Sequence, residues 1–280
     1  MATAPPAKRR CVMGGIPLEL AADDGTSREG CEDVTGFELW RPATAAACGV
    51  LLADRTLVQR RLVLELGCGL GALGAFCGHL GAVGVLLTDR EPAVLRLAAR
   101  TAELSGMTAR CDFIAVNFVR GRSPWRRGVF DLAVASDVLF LDRLARPLLG
   151  ALEALHTDDS SDDAAATSAC ATQCATLPPR LSEPCRRPLR AVLGHEVRRA
   201  VYRGPDGQPC FEANDSALEE FLKLAGPHSR RVDPAGGNYH SALDNAVGDP
   251  SLDESRPEAS AVQRVEATAV LLQWPAPPAT

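Results

Sequence analysis

Residues 63–74 read VLELGCGLGALG, in which a short apolar run leads directly into closely spaced glycines. The apolar run is typical of a buried β-strand, and a glycine-rich turn after a strand lets the backbone approach a ligand while N–H groups of the next helix stay free to bind it. Two glycine patterns overlap here: Glu65 precedes G-x-G-x-G from Gly67, and G-x-G-x-x-G begins at Gly69. The stretch therefore predicts a cofactor site at the end of a strand.

The two overlapping patterns favour different cofactors. G-x-G-x-x-G is typical of dinucleotide sites, in which a helix N-terminus faces a pyrophosphate, whereas an acidic residue before G-x-G-x-G is typical of S-adenosylmethionine (SAM) sites. A carboxylate at Glu65 would repel a pyrophosphate, but it suits a cofactor that carries an ammonium and a sulfonium. Asp89, at the end of the next apolar run, is placed to accept hydrogen bonds from two ribose hydroxyls, which both cofactors possess. Charge therefore favours SAM.

Apolar strand patterns alternate with helical patterns along most of the chain. Helices are predicted from Pro42, which suits a first helical turn, and from a cap at Asp215 or Ser216. This alternation predicts an α/β fold with a doubly wound, Rossmann-like, mostly parallel sheet and helices on both faces. The predicted strand segments are RLVLEL (61–66), VGVLLTD (83–89), CDFIAVNF (111–118), VFDLAVASDVLF (129–140), LRAVLGHEV (189–197) and part of ASAVQRVEATAVLLQW (259–274).

Other segments are rich in Pro, Gly, Ser and Asp and define the domain boundaries. Residues 1–35 predict a partly flexible N-terminal tail in which GIPLEL (15–20) forms a single strand. Residues 36–280 predict one domain, interrupted by a low-complexity insertion at 157–186 and by a second loop at 233–258.

The composition argues against several classes of function. A net charge of −5 and a pI near 5.6 lack the basic footprint of a nucleic-acid-binding protein, and the chain has no apolar run of about eighteen residues that would predict a membrane span. The N-terminus carries no secretory signal, and the ten cysteines are scattered without a C-x-x-C pair. These features predict a cytoplasmic protein with reduced thiols and no metal site, and the run KRR (8–10) is a weak nuclear signal.

Three longer blocks carry these patterns together with their flanking residues: FELWRPATAAACGVLLAD (37–54), VLELGCGLGALGAFCGHLGAVGVLLTDR (63–90) and FDLAVASDVLF (130–140). Together they resemble the seven-stranded SAM-dependent methyltransferases, and within them the family 16 protein-lysine methyltransferases. The resemblance implies the class I methyltransferase fold with a seven-stranded sheet, SAM as the cofactor, and a reaction that needs no metal.

The resemblance also implies a role for each matching position. The glycines and Glu65 would line the methionine part of SAM, and Asp89 would hold its ribose. Phe118 would stack on adenine, with Asn117 in place of the acid that the family carries there. The implied cofactor-binding residues are, in chain order, Trp40, Glu65, Gly67, Cys68, Gly69, Gly71, Asp89, Asn117, Phe118 and Ser136.

The same resemblance places the catalytic residues Asp137 and Phe140 at the substrate site. Asp137 would orient the amine of a lysine on a protein substrate, and the protein would act as a monomer. Phe140 stands where the family has a tyrosine, so the phenolic hydroxyl is missing. His195 and Glu196 are interpreted as strand-end residues near this site. The predicted activity is methyl transfer from SAM to a protein lysine.

Three other functions stay open at this point. The missing hydroxyl keeps open a small-molecule or other N-methyltransferase, and a non-catalytic SAM-fold protein would serve as a binding module. A nicotinamide-dependent oxidoreductase rests only on the pattern from Gly69, and the chain lacks a catalytic Tyr-x-x-x-Lys pair. Binding of SAM or of NAD would separate the oxidoreductase from the others.

Overall fold

A seven-stranded β-sheet lies at the centre of the fold. The computed structural model describes residues 8–23, 28–31, 34–120, 128–156, 188–197, 199–203, 209–213, 215–232 and 267–274. Its strands are β1 (Lys8–Met13), β2 (Ile16–Ala21), β3 (Leu62–Leu66), β4 (Gly84–Asp89), β5 (Cys111–Ala115), β6 (Leu132–Ser136), β7 (Arg190–Glu196), β8 (Arg199–Arg203), β9 (Pro209–Ala213), β10 (Ser229–Val232) and β11 (Ala267–Gln273).

The central sheet has the strand order β5-β4-β3-β6-β7-β11-β10. β3 to β7 run parallel to one another, and β11 is antiparallel to both of its neighbours. The order reverses at β3, because β4 and β5 lie on one side of it and β6 and β7 on the other. Ligands bind at such a reversal, outside the carboxyl ends of the strands. The predicted doubly wound, mostly parallel seven-stranded sheet is confirmed.

Helices cover both faces of the sheet, and each face has its own hydrophobic core. One core is formed under α1, α2 and α3 and contains Val63 and Phe76, and the other lies under α4 and α5 and contains Leu64 and Phe221. Neighbouring residues of β3 thus enter opposite cores, as expected for a strand that is buried on both sides. The helices are α1 (Arg41–Ala53), α2 (Ala72–His79), α3 (Pro92–Leu104), α4 (Ala145–Glu153) and α5 (Ser216–Ala225).

The N-terminal segment contains an antiparallel hairpin of β1 and β2. The sequence predicted the second of these strands and missed the first. The hairpin buries Leu18 and Leu20, and the N–H of Ala21 donates to Thr101 Oγ1 on α3 at 3.0 Å. β1 was missed because its first half is basic, and only its pairing with β2 makes it a strand.

Several other boundaries differ from the predictions. β5 ends at Ala115, so residues 116–118 lie beyond the strand and line a cavity. The hairpin of β8 and β9 and the edge strand β10 were not predicted. Asp215 is the N-cap of α5, but its side chain makes no cap hydrogen bond. The predicted insertion at 157–186 and the loop at 233–258 lie outside the described residues.

The described residues contain neither a helix suited to crossing a membrane nor a cluster of metal ligands. None of the described helices combines the length and the apolar character needed to cross a membrane. The His, Cys, Asp and Glu side chains of the described residues form no group of three or more that could hold a metal ion.

Candidate functional site

A cavity of about 740 Å³ opens at the carboxyl ends of the parallel strands, where the strand order reverses. Its walls come from the turn after β3, the ends of β4, β6 and β7, the segment after β5 and the segment before α1. The structure therefore brings most of the predicted site residues to one place. Those that line the cavity are Trp40, Glu65, Gly67, Cys68, Gly69, Asp89, Asn117, Phe118, Ser136, Asp137 and Phe140.

Two glycines shape the turn that leaves β3. Gly67 has φ of +65° and Gly69 has φ of +50°, conformations that are easy for glycine and strained for other residues. A Cβ on Gly67 would lie 2.8 Å from Cγ1 of Val138, and a Cβ on Gly69 would lie 3.3 Å from the carbonyl oxygen of Gly36. The turn thus packs closely against Val138 on one side and Gly36 on the other, and its backbone lines the cavity.

Gly71 lies outside the cavity wall, although the glycine pattern predicted that it lines the cofactor site. It is the N-cap of α2 with φ of +76°, and it does not line the cavity. A Cβ there would lie 2.9 Å from Cδ2 of Leu87 and 3.0 Å from Cβ of Ala98. The structure therefore shows a packing role for Gly71, which lets α2 approach β4 and α3, and its predicted contact with the cofactor stays a prediction.

Glu65 is the most deeply placed acid of the cavity, with only 1% of its surface exposed. Burial raises its pKa to about 8, the nearby Asp89 charge adds to this, and the Gly74 backbone N–H opposes it. Its Oε2 atom has no hydrogen-bond partner among the described residues. A Cβ on Gly74 would lie 2.6 Å from that oxygen, so glycine at this position makes room for the carboxyl group. A cation in the cavity would supply the missing partner.

Asp89 is held by the backbone at the end of β4. Its Oδ2 accepts the N–H of Gly69 at 3.1 Å, and its Oδ1 accepts the N–H of Glu91 at 3.1 Å. Burial is the largest effect on this carboxyl group and raises its pKa. Each carboxylate oxygen can accept more than one hydrogen bond, so both retain capacity for hydroxyls of a ligand.

The residues after β5 supply an apolar surface with one amide. Phe118 is half-buried, and Val116 and Val119 line the cavity on either side of it. The Oδ1 atom of Asn117 accepts the N–H of Val119 at 3.0 Å, so its amide N–H groups are the part that can face a ligand. This surface suits a flat ring with acceptor atoms on its edge, such as adenine.

The opposite wall joins α1 to β6 through two hydroxyls. Thr44 is buried, donates to the carbonyl oxygen of Trp40 at 2.9 Å, and lies 2.7 Å, Oγ1 to Oγ, from Ser136. The Trp40 indole is 38% exposed, and its Nε1 donates to Thr35 O at 3.1 Å. Sequence reasoning missed Thr44, because nothing in an alanine-rich helix marks one threonine as facing a cavity.

Asp137 follows β6 in a left-handed conformation, with φ of +56°. Its N–H donates to the carbonyl oxygen of Gly194 at 2.9 Å, and its Oδ1 accepts the N–H of Glu196 at 3.4 Å. Backbone strain of this kind in a non-glycine residue is typical of functional sites. Phe140 is half-buried and lines the same part of the cavity.

The charged residues that line the cavity are almost all acidic. Among the described residues on its wall, Arg90 is the only basic one. The cavity therefore favours a positively charged ligand and disfavours a pyrophosphate. Glu38 and Glu91 were not predicted as site residues, whereas Glu196 was predicted as a strand-end residue near the site. The lining carboxylates are Glu38, Glu65, Asp89, Glu91, Asp137 and Glu196.

Comparison with known families is consistent with this geometry. The sequence model described as lysine methyltransferase matches residues 26–169, just over half of the chain. The chain belongs to this lysine methyltransferase family. Membership confirms the predicted family and S-adenosylmethionine as the predicted cofactor.

One curated relative is the protein N-lysine methyltransferase METTL21A of Danio rerio. It is 29% identical over 120 residues, which cover 42% of this chain and 55% of the relative. The chain thus spans about half the length of the curated relative that it matches.

Solved structures show more distant likenesses. An S-adenosylmethionine-dependent methyltransferase from Mesorhizobium loti has a TM-score of 0.48 and 15% identity, covering 82% of this chain and 98% of that one. A SAM-dependent O-methyltransferase from Thermotoga maritima has a TM-score of 0.40 and 11% identity, covering 80% and 63%. Neither likeness is close enough to bear on the substrate.

Proposed function

We propose that this protein transfers a methyl group from SAM to the side-chain amine of a lysine in a protein substrate. The observation that carries the proposal is the acidic cavity, whose buried Glu65 has an oxygen without a hydrogen-bond partner among the described residues. SAM and lysine are both cationic, so both ligands suit an acidic cavity. Membership of the lysine methyltransferase family supports the reaction class.

The residues around the glycine turn fit the cofactor. Gly67 and Gly69 line the cavity in backbone conformations that other residues rarely adopt, and Glu65 offers a carboxyl group to the positively charged methionine part. Asp89 retains acceptor capacity for ribose hydroxyls, and Phe118 offers a ring face for adenine. When bound, SAM supplies a methyl group activated by a positively charged sulfur.

The residues after β6 form the substrate end of the cavity. Methyl transfer requires an amine without its extra proton, placed in line with the methyl group, so the protein must orient the amine and keep water away. Phe140 and Leu144 give this end apolar surface, and removal from water lowers the pKa of a lysine ammonium. Asp137 would orient the amine after its proton has been lost to solvent outside this end of the cavity.

The proposal is tested first on the cofactor and then on transfer. Calorimetry on the purified protein is expected to show binding of SAM and no binding of NAD. Incubation with SAM labelled on the methyl group and a mixture of cellular proteins is then expected to label lysine side chains, as identified by mass spectrometry. Failure to bind SAM would overturn the proposal, and labelled small molecules without labelled protein would replace lysine by a small-molecule substrate.

We further infer that the protein acts as a monomer in the cytoplasm and nucleus and does not bind nucleic acid. The net charge of −5 disfavours nucleic acid, and the side chains of Lys8, Arg9 and Arg10 are exposed on β1, where a transport receptor could reach them. Light scattering would test the monomer, a DNA-shift assay would test nucleic-acid binding, and fractionation of cells would test the location.

A further inference from the structure

Glu196 is the last residue of β7, and it lines the cavity. Side chains alternate along a strand, so Glu196 lies on the same face of the sheet as Gly194. That face is the α1 side, because a Cβ on Gly194 would lie only 1.9 Å from the carbonyl oxygen of Ala43. His195 lies on the other face, where its Nε2 is 3.3 Å from Asp215 Oδ1. Glu196 therefore belongs to the cavity, and His195 to the packing of α5.

Asp137 and Glu196 leave the sheet from neighbouring strand ends. β6 and β7 are parallel, and their pairing extends to Ser136 and Gly194. Immediately beyond that pair, the N–H of Glu196 donates to Asp137 Oδ1 at 3.4 Å. The backbone thus holds two acidic residues side by side at the substrate end of the cavity.

An independent observation marks this cavity as a ligand site. Glu65 lies at its other end, is buried, and has an oxygen for which the described part of the chain supplies no hydrogen-bond partner. The Glu65 oxygen offers a hydrogen-bond acceptor to a ligand at the cofactor end, whereas Asp137 and Glu196 lie at the opposite end of the same cavity.

We propose that Glu196 is a second substrate-binding carboxylate, which holds the methyl-accepting amine together with Asp137. The inference rests on the proposed function. A neutral primary amine has two N–H groups and one lone pair, and when each N–H donates to a different carboxylate, the lone pair is free to face the methyl group. The side chain of Phe140 has no polar atom, so it cannot be the second acceptor.

The two carboxylates also match the change in charge during the reaction. Attack forms the N–C bond and breaks the S–C bond, and positive charge moves from sulfur to nitrogen. The product is a secondary ammonium that still has two N–H groups, one for Asp137 and one for Glu196. Acceptors already in place where charge develops stabilise the transition state. A second transfer would leave a single N–H, so the pair favours the first methylation.

The proposal can be tested without the natural substrate by two stable SAM analogues in which nitrogen replaces the sulfonium. One carries a 2-aminoethyl arm and the other a propyl arm of the same length, so the ratio of their dissociation constants isolates the amine. The wild-type protein is expected to prefer the amine arm by about tenfold to a hundredfold, the range for hydrogen bonds to charged groups. Glu196→Gln and Asp137→Asn are each expected to remove most of this preference.

Matched variants control for folding and for general charge. Glu153→Gln makes the same chemical change on the exposed face of α4, and Glu219→Gln makes it on α5; neither residue lines the cavity. Both are expected to keep the amine preference, and every variant is expected to bind S-adenosylhomocysteine as the wild type does. If Glu196→Gln keeps the full preference for the amine arm while Asp137→Asn loses it, the role of Glu196 is overturned and the proposed function is left intact. A wild-type protein that binds no SAM analogue would overturn both.

Discussion

The two ends of the cavity are built in opposite ways. The cofactor end comes from one continuous stretch, the turn from β3 into α2, with Asp89 added from the next strand. The substrate end is assembled from α1, β6 and β7, whose cavity residues Thr44, Asp137 and Glu196 are far apart in sequence. The first end depends on backbone conformation, and the second depends on how closely separate elements pack.

This difference predicts that the two ends respond differently to substitution. Changes in the glycine turn should weaken cofactor binding more than folding, because the turn lies at the surface of the cavity. Changes at the contacts of α1 with β7 should affect folding first, because those contacts belong to the hydrophobic core. Four substitutions test this contrast, and two of them have a matched control variant.

The largest effect is expected for Gly194→Ala. A Cβ at this position would lie 1.9 Å from the backbone carbonyl oxygen of Ala43, so α1 must move away from β7. We expect a loss of about 3 kcal/mol or more in the free energy of unfolding, the upper range for overpacking of a core. Urea denaturation followed by circular dichroism would measure it.

Gly150→Ala is the matched control for this substitution. Gly150 lies in α4, and a Cβ there would meet no atom within 4 Å. Alanine favours a helix interior over glycine, so this variant should gain up to about 1 kcal/mol. Equal stability of the two variants would show that α1 does not pack on β7 as closely as described.

The next largest effect is expected for Gly67→Ala, and it should fall on cofactor binding. Alanine at φ of +65° is strained by about 1–2 kcal/mol, and its Cβ would lie 2.8 Å from Val138 Cγ1. We expect SAM to bind about tenfold more weakly or worse, because the turn must shift, as measured by calorimetry.

Gly106→Ala is the control that separates the effect of backbone strain from the effect of the Cβ contact with Val138. Gly106 has φ of +70°, but a Cβ there would meet no atom within 4 Å. The two variants should therefore lose similar stability from backbone strain, whereas only Gly67→Ala should lose SAM affinity. A parallel loss of affinity in Gly106→Ala would mean that strain anywhere in the fold weakens the cofactor site.

Glu65→Gln tests the acid at the base of the cofactor end. At pH 7 the buried carboxyl group, with its pKa of about 8, is mainly protonated, and a bound cation would favour its ionised form. SAM binding is therefore expected to release a proton, which calorimetry detects in two buffers of different ionisation enthalpy. Glu65→Gln should abolish the release and weaken binding about tenfold. Proton release that persists in the variant would contradict this role for Glu65.

The same carboxyl group links folding to pH. Its folded pKa of about 8 lies above the ordinary value of 4.5, so the folded protein keeps a proton that the unfolded chain releases. The stability that this proton contributes is complete at low pH and is lost as pH rises through about 8. Cofactor-free wild-type protein should therefore lose more stability between pH 5 and 8 than Glu65→Gln, as thermal unfolding in matched buffers would show.

The smallest effect is expected for Trp40→Phe, where the two ends meet. The substitution keeps an aromatic ring at the cavity mouth but removes the 3.1 Å hydrogen bond from Nε1 to Thr35 O. A partly exposed hydrogen bond of this kind contributes about 1 kcal/mol, so SAM affinity should fall by about fivefold or less. A loss as large as that of Gly67→Ala would show that the indole holds the cofactor directly.

The sequence predicted the fold well where patterns are local. Buried strands such as β3 and β4 are mostly apolar, and prolines mark the first turns of α1 and α3. It failed at β1 and β10, which are half-polar edge elements whose strand character comes only from pairing with a neighbour. Edge strands expose one side to water, so their sequences carry little of the apolar pattern that identifies a central strand.

The glycine turn after β3 and the acids at the strand ends could be predicted from the sequence, because such features are encoded within a few residues, and their contacts with SAM stay predictions. The packing of the elements was needed to show that Gly71 packs against Leu87 and Ala98, that Thr44 contacts Ser136, and that Glu196 lies beside Asp137. These contacts join residues far apart in the chain, and their distances follow from the pairing of β6 with β7 and the packing of α1 on the sheet. No local pattern can encode a distance that depends on how separate elements pack.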